Sequence, residues 1–130
     1  MPRTISNPSG LHDPPGYSHT VVATGSRLAF VAGQVALDRN FGLVGGDDLA
    51  AQTRQVMANL EIALDELGAS WDDVVKATVY TTRPHDYEEL GGAMAEALAG
   101  AAPPAQVLLG VTALALPELL VEIDLVVSLP

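Results

Sequence analysis

The amino-acid sequence predicts an α+β domain in which a mixed sheet carries two helices on one face. Three observations predict it. Apolar residues recur at helical spacing over 47–67 and 86–98. They alternate at strand spacing elsewhere, most clearly over 72–82 and 119–129. Glycine and proline punctuate the boundaries, so the expected order is β-β-α-β-α-β-β.

Each element has a local reason. Residues 6–16, Ser-Asn-Pro-Ser-Gly-Leu-His-Asp-Pro-Pro-Gly, predict a loop, so 1–16 reads as a loop-rich N-terminal segment of one domain spanning 1–130. Strands are expected over 19–24 and 27–35, with Gly25-Ser26 as a two-residue hairpin connection. Turn chemistry returns over 38–47. Asp47 or Asp48 can N-cap a helix that runs to about Leu67 and stops at Gly68. Its apolar stripe is Leu49, Val56, Leu60, Ala63, Leu64 and Leu67, while Arg54, Glu61, Asp65 and Glu66 occupy the other side.

Trp71 is expected to pack at the start of the strand over 72–82. There Val75, Ala77 and Val79 share one face and Lys76, Thr78 and Tyr80 the other. Pro84 ends it. A second helix spans 86–98 with Tyr87, Leu90, Met94 and Leu98 as its stripe. Gly91-Gly92 inside it costs about 1 kcal/mol per glycine against alanine, which hints at a close backbone approach or is merely tolerated. A short strand over 105–111 and a longer one over 119–129 are separated by Pro117. On the last strand Glu122, Asp124 and Val126 alternate with Val121, Ile123 and Leu125.

Composition narrows the function. The chain has 130 residues and is 48% hydrophobic, with a mean hydropathy of +0.27. A domain this small struggles to bury that much apolar surface alone. Two helices cover one sheet face and leave the other apolar, so self-assembly is expected, unless the alanine content merely inflates the count. The net charge is −10, and the six basic residues are scattered. A phosphate backbone requires clustered cations, so no nucleic-acid partner is expected.

Cysteine is absent, which excludes disulfides, thiol nucleophiles and thiolate metal sites. The N-terminus lacks an apolar secretory region, and no apolar run reaches the roughly 18 residues of a membrane span. A cytoplasmic protein with no membrane partner is the expectation. His12, His19 and His85 lack metal-ligand spacing, so no metal is expected, and no cofactor-binding motif is present.

Four segments carry a resemblance: Gly16-Tyr17-Ser18-His19, Val31-Ala32-Gly33-Gln34, Pro103-Pro104-Ala105-Gln106 and Val121-Glu122-Ile123-Asp124. Together they resemble the Rid family of reactive-intermediate (imine/enamine) deaminases, also called YjgF-type proteins and once described as L-PSP endoribonucleases. The similarity extends from about Tyr17 to Val127. It implies a chorismate-mutase-like fold, a homotrimer with its sheets facing inward, and small-molecule sites in the clefts between subunits.

The resemblance also implies roles. Glu122 would orient the water that attacks the imine carbon, Tyr17 would line the site, and the Gly33 backbone N–H would contact substrate. Gln106 stands where deaminases of the family carry an arginine. A guanidinium holds a carboxylate bidentately, and an amide lacks that charge. Gly91 falls where many members have asparagine and Leu108 where several have cysteine, so the pocket is more apolar than usual.

The residue types leave alternatives open. Gln106 is a ligand-binding amide or a surface glutamine. Glu122 is a general base or a carboxylate paired with Arg54 or Lys76. Tyr17 lines a pocket or anchors the N-terminal loop. Gly33 permits close ligand approach or forms a bulge. His19 exchanges protons near neutral pH or is held to backbone. The catalytic candidates are therefore Glu122, Tyr17 and His19, and the substrate-binding candidates Gln106, Gly33, Gly91 and Leu108. The expected function is hydrolysis of an imine or enamine, or a related water addition or tautomerisation, on a substrate without the usual carboxylate. The alternative is a non-catalytic trimer that binds a metabolite or a partner. A ribonuclease is disfavoured by the isoelectric point of about 4.3.

Overall fold

A computed structural model describes residues 3–130, so Met1 and Pro2 of the expected N-terminal loop lie outside the described residues. The strands are β1 (Arg3–Ser6), β2 (Thr20–Ala23), β3 (Arg27–Gln34), β4 (Val74–Thr81), β5 (Ala105–Gly110) and β6 (Val121–Leu129). The helices are α1 (Leu49–Glu66) and α2 (Tyr87–Leu98), with short 3-10 turns at Trp71–Asp73 and Pro84–Asp86. The expected α+β class, with a mixed sheet and two helices, is the observed one. β1 is an additional strand, in a polar segment too short to show alternation.

The main sheet has the order β3-β6-β4-β5, with β4 and β5 parallel and the other pairs antiparallel. Its inner face holds the core, where Ala77 and Val79 of β4 meet Ile123 and Leu125 of β6. Helix α1 contributes Leu49, Val56, Leu60 and Leu64 to that core. It contacts β3 and β6, while α2 packs mainly on α1. Asp48 caps α1 by accepting from the Ala51 N–H at 3.1 Å, and Gly68 follows its end at φ +67°.

Three expectations need correction. Gly25-Ser26 does not form a β2–β3 hairpin, because β2 pairs with β1 and β3 pairs with β6. The chain instead changes sheets there, and Gly25 passes so close to β6 that a Cβ would stand 2.1 Å from the Leu129 carbonyl oxygen. The Gly91-Gly92 pair is not a close backbone approach, since added Cβ atoms there meet nothing within 4 Å. The α1 stripe also omitted two buried polar residues, Gln52 and Thr53, and included Leu67, which is exposed.

The β1–β2 ribbon crosses the end of the main sheet where β4 and β5 begin and β6 ends. Buried Arg3 donates to the carbonyls of Val74 at 2.6 Å and Ala102 at 2.7 Å. Ser18 bridges to Ala105, with its N–H on the Pro104 carbonyl at 2.9 Å. The Gly25 N–H donates to Ser128 Oγ at 3.0 Å.

Candidate functional site

A cavity of about 1160 Å³ opens between α2, β5 and the loops that precede β2 and β5. Its origin is the helix packing: α2 leans on α1 and leaves space over β4 and β5. Leu90, Met94 and Leu98 of α2 form one wall, and Ala77, Leu108, Ile123 and Leu125 of the sheet form the floor. Gln106 lines the same cavity. Register explains why: Gln106 pairs with Ala77 and Leu108 with Val79, so both lie on the inner face with the core. Gly91 also lines the cavity, where its missing side chain leaves open volume.

The mouth carries an aromatic cluster. His12, Tyr17 and His19 line it with ring centroids 4.7–6.0 Å apart in edge-on arrangements. The Tyr17 hydroxyl is hydrogen-bonded to His12 Nε2. His19 Nε2 is 2.7 Å from the His12 carbonyl oxygen, and its backbone N–H donates to Asn7 Oδ1 at 2.8 Å. His19 is thus held to backbone and still lines the mouth. Tyr17 both lines the cavity and anchors the N-terminal loop. His12 was missed as a site residue, because a histidine in a Pro/Gly loop carries no sequence signal of what it will meet.

Glu122 and Gly33 lie elsewhere. Glu122 pairs with Tyr80, which places it on the outer face of the sheet, opposite to Gln106. Its carboxylate rests over Gly33, where an added Cβ would come within 2.1 Å of Oε2. The ladder between β3 and β6 also shifts register between Val31 and Gln34. Gly33 therefore sits in an irregularity and also admits a close approach, here by Glu122. Arg54 pairs with Glu96 at 3.1 Å, not with Glu122.

Beside Glu122, the Tyr80 hydroxyl donates to Asp124 Oδ2 at 3.5 Å. Asp124 first, then desolvation, then Glu122 hold the Tyr80 phenol above its ordinary pKa, because a phenolate there would face like charge. The candidate residues thus lie in two places, Tyr17, His19, Gln106, Gly91 and Leu108 at the inner-face cavity, and Glu122 and Gly33 on the outer face. Among the described residues, no group of His, Asp and Glu is arranged to hold a metal ion, and no helix is long and apolar enough to cross a membrane.

Comparison with known proteins matches this architecture. The family model described as Endoribonuclease L-PSP matches residues 11–129. A solved Rid-family protein of unknown function, YyfB from Yersinia pestis, is 41% identical, superposes with a TM-score of 0.93, and is covered over 100% of its chain by 99% of this one. A RutC family protein of Synechocystis is 34% identical over 88% of this chain and 86% of its own. The 3-aminoacrylate deaminase RutC of Acinetobacter baylyi is 33% identical over 74% of this chain and 75% of its own. The chain belongs to the Rid/YjgF family.

Proposed function

We propose that this chain, acting as one domain over residues 1–130, hydrolyses the C=N bond of an imine, or of the imine that an enamine forms on tautomerisation, on a substrate that lacks the usual carboxylate. The observation that carries this reading is the cavity's composition. Gln106 lines it where the family resemblance implies a guanidinium, and no Arg or Lys is among the described residues that line it. A substrate carboxylate there would be desolvated without a countercharge, at a cost of several kcal/mol. The similarity to a 3-aminoacrylate deaminase supports the C=N chemistry.

The reaction needs both places, as two half-sites. Assembly as a homotrimer, with outer faces turned inward, sets Glu122 and Gly33 of one subunit against the cavity of the next. Glu122 then holds and deprotonates water, whose oxygen bonds to the imine carbon. Tyr17 and His19 return protons to the nitrogen, the C–N bond breaks, and ammonia leaves a carbonyl product. Gln106 binds a neutral polar group, and Gly91 and Leu108 shape an apolar wall. Metal and cofactor have no part in this scheme, and the working compartment is the cytoplasm.

The separation of Glu122 from the cavity within one chain favours a second reading, a non-catalytic metabolite binder. The two are told apart by generating imines in situ with an amino-acid oxidase and trapping survivors with semicarbazide. Wild type is expected to be poor on 2-imino acids such as 2-iminopropionate, and Gln106→Arg to gain activity on them. Ordinary wild-type turnover of that compound rejects the carboxylate argument. Glu122→Gln is expected to lose rate far more than affinity, whereas a binder would keep its ligand unchanged.

A further inference from the structure

The cavity wall specifies more than the loss of one cation. Among the described residues that line it, Glu88 is the one charged side chain. Glu88 stands in the first turn of α2, is exposed, and follows Tyr87, which lines the same opening. The rings of His12, Tyr17 and His19 also line it. A cation entering there meets a carboxylate and no opposing Arg or Lys among the described residues that line it. An anion meets Glu88 and the field of a chain with net charge −10.

Deeper in, Leu90, Met94, Leu98 and Leu108 offer an apolar surface. The volume of about 1160 Å³ is at or above the roughly 300–1,000 Å³ of pockets that hold drug-sized ligands. A three-carbon imino acid would leave most of it unfilled.

We infer that the cavity takes the imine of a bulky primary amine: a protonated C=N or ammonium end directed to Glu88 at the mouth, carried on an apolar body that packs against α2 and β5. The inference rests on the hydrolase reading for its chemistry, though not for its binding preference. Hydrolysis of such an iminium joins the oxygen of water to carbon, breaks the C–N bond, and places both protons of water on the leaving nitrogen. The products are ammonium and an aldehyde or ketone. The reaction that supplies the substrate is then the two-electron oxidation of a primary amine by an amine-oxidising enzyme, and the reaction that consumes the product is the oxidation or reduction of a carbonyl.

The test uses the full chain and three probes of matched shape: 2-phenylethylammonium, 2-phenylethanol and 3-phenylpropionate, titrated by calorimetry. The ammonium is expected to bind at least about tenfold tighter than the carboxylate, a difference of about 1.4 kcal/mol, with the alcohol between them. Glu88→Gln, an exposed substitution that the fold tolerates, is expected to weaken the ammonium about threefold and leave the alcohol unchanged. Carboxylate binding as tight as ammonium binding overturns the inference. So does failure of all three probes to bind at millimolar concentration, or an equal loss for all three in Glu88→Gln.

Turnover of the imine made from 2-phenylethylamine by an amine oxidase is followed in parallel. Selective ammonium binding without turnover of any imine rejects the hydrolase reading and keeps the charge preference. Equal turnover of 2-imino acids and the amine-derived imine keeps the hydrolase and rejects the preference.

Discussion

Gly33 and Glu122 show how one residue sets the place of another. A side chain at position 33 would occupy the space of the Glu122 carboxylate, 2.1 Å from Oε2. The displaced atoms are the end of a flexible side chain, so the backbone need not move. Gly33→Ala is therefore expected to shift the thermal midpoint by no more than about 3 °C while reducing imine turnover at least about tenfold, about 1.4 kcal/mol in barrier. Scanning calorimetry and initial rates check the two arms, and unchanged turnover would free Glu122 of any dependence on Gly33.

Tyr80 makes a second residue-scale prediction. Its phenol is held above the ordinary value chiefly by Asp124. For an acid with a raised folded pKa, the contribution to stability is complete below the unfolded value of about 10 and is lost as pH rises through the folded value. Absorbance titration should show the Tyr80 phenol ionising above its ordinary value, and Asp124→Asn should bring it down. At this scale the sequence was legible in pairs. Alternation placed Glu122 with Asp124, and the resemblance named Gln106 and Leu108. Neither could say that the two pairs lie on opposite faces, because that follows from the parallel placement of β5 beside β4.

Elements were legible where local chemistry has one solution. The stop at Gly68 and the alternation in β6 read directly from residue type, whereas the cap stayed open between Asp47 and Asp48, and a bulge between Val74 and Lys76 puts Val74 rather than Val75 in the core of β4. Gly25-Ser26 did not read directly, since the same two residues suit a hairpin and a strand that changes sheets. The choice was made by Arg3 and Ser18, whose partners on 72–74 and 102–105 are remote in sequence. Gln52 escaped a scan for apolar periodicity for a similar reason. Its amide donates to the Gly46 and Glu118 carbonyls at 2.7 and 2.9 Å and accepts from the Leu120 N–H at 2.9 Å, tying α1 to two loops. The end of α2 supplies a prediction. Ala99 terminates it at φ +49°, a conformation that costs an L-residue about 1 kcal/mol. Ala99→Gly is expected to stabilise the fold by up to about 1 kcal/mol, as read from urea unfolding, and a destabilised variant would contradict that cause.

The whole molecule poses the question of what covers its outer face. That face was expected to be apolar, and it is so only in part. Leu28 and Phe30 of β3 lie at one margin and Val107 and Leu109 of β5 at the other, all exposed. Between them run Glu122, Asp124, Tyr80 and Lys76. A polar band between apolar margins suits a face that both associates and carries chemistry. Phe30 is 76% exposed, and Phe30→Asp is expected to reduce the proposed homotrimer to monomers in sedimentation velocity and abolish the proposed imine turnover together. A wild type that sediments as a monomer at working concentration would reject the intersubunit site.

By itself the sequence determined the helices, the strands of the main sheet, the acidic and cysteine-free chemistry and the family resemblance, because each depends on residue identity and short spacing. Tertiary structure alone decided that Gln106 shares a cavity with Tyr17 and His19, that Glu122 lies across the sheet from them, and that β2 leaves β3 for β1. Those facts depend on which strands become neighbours and on where α2 rests, and both are set by contacts between residues far apart in the chain.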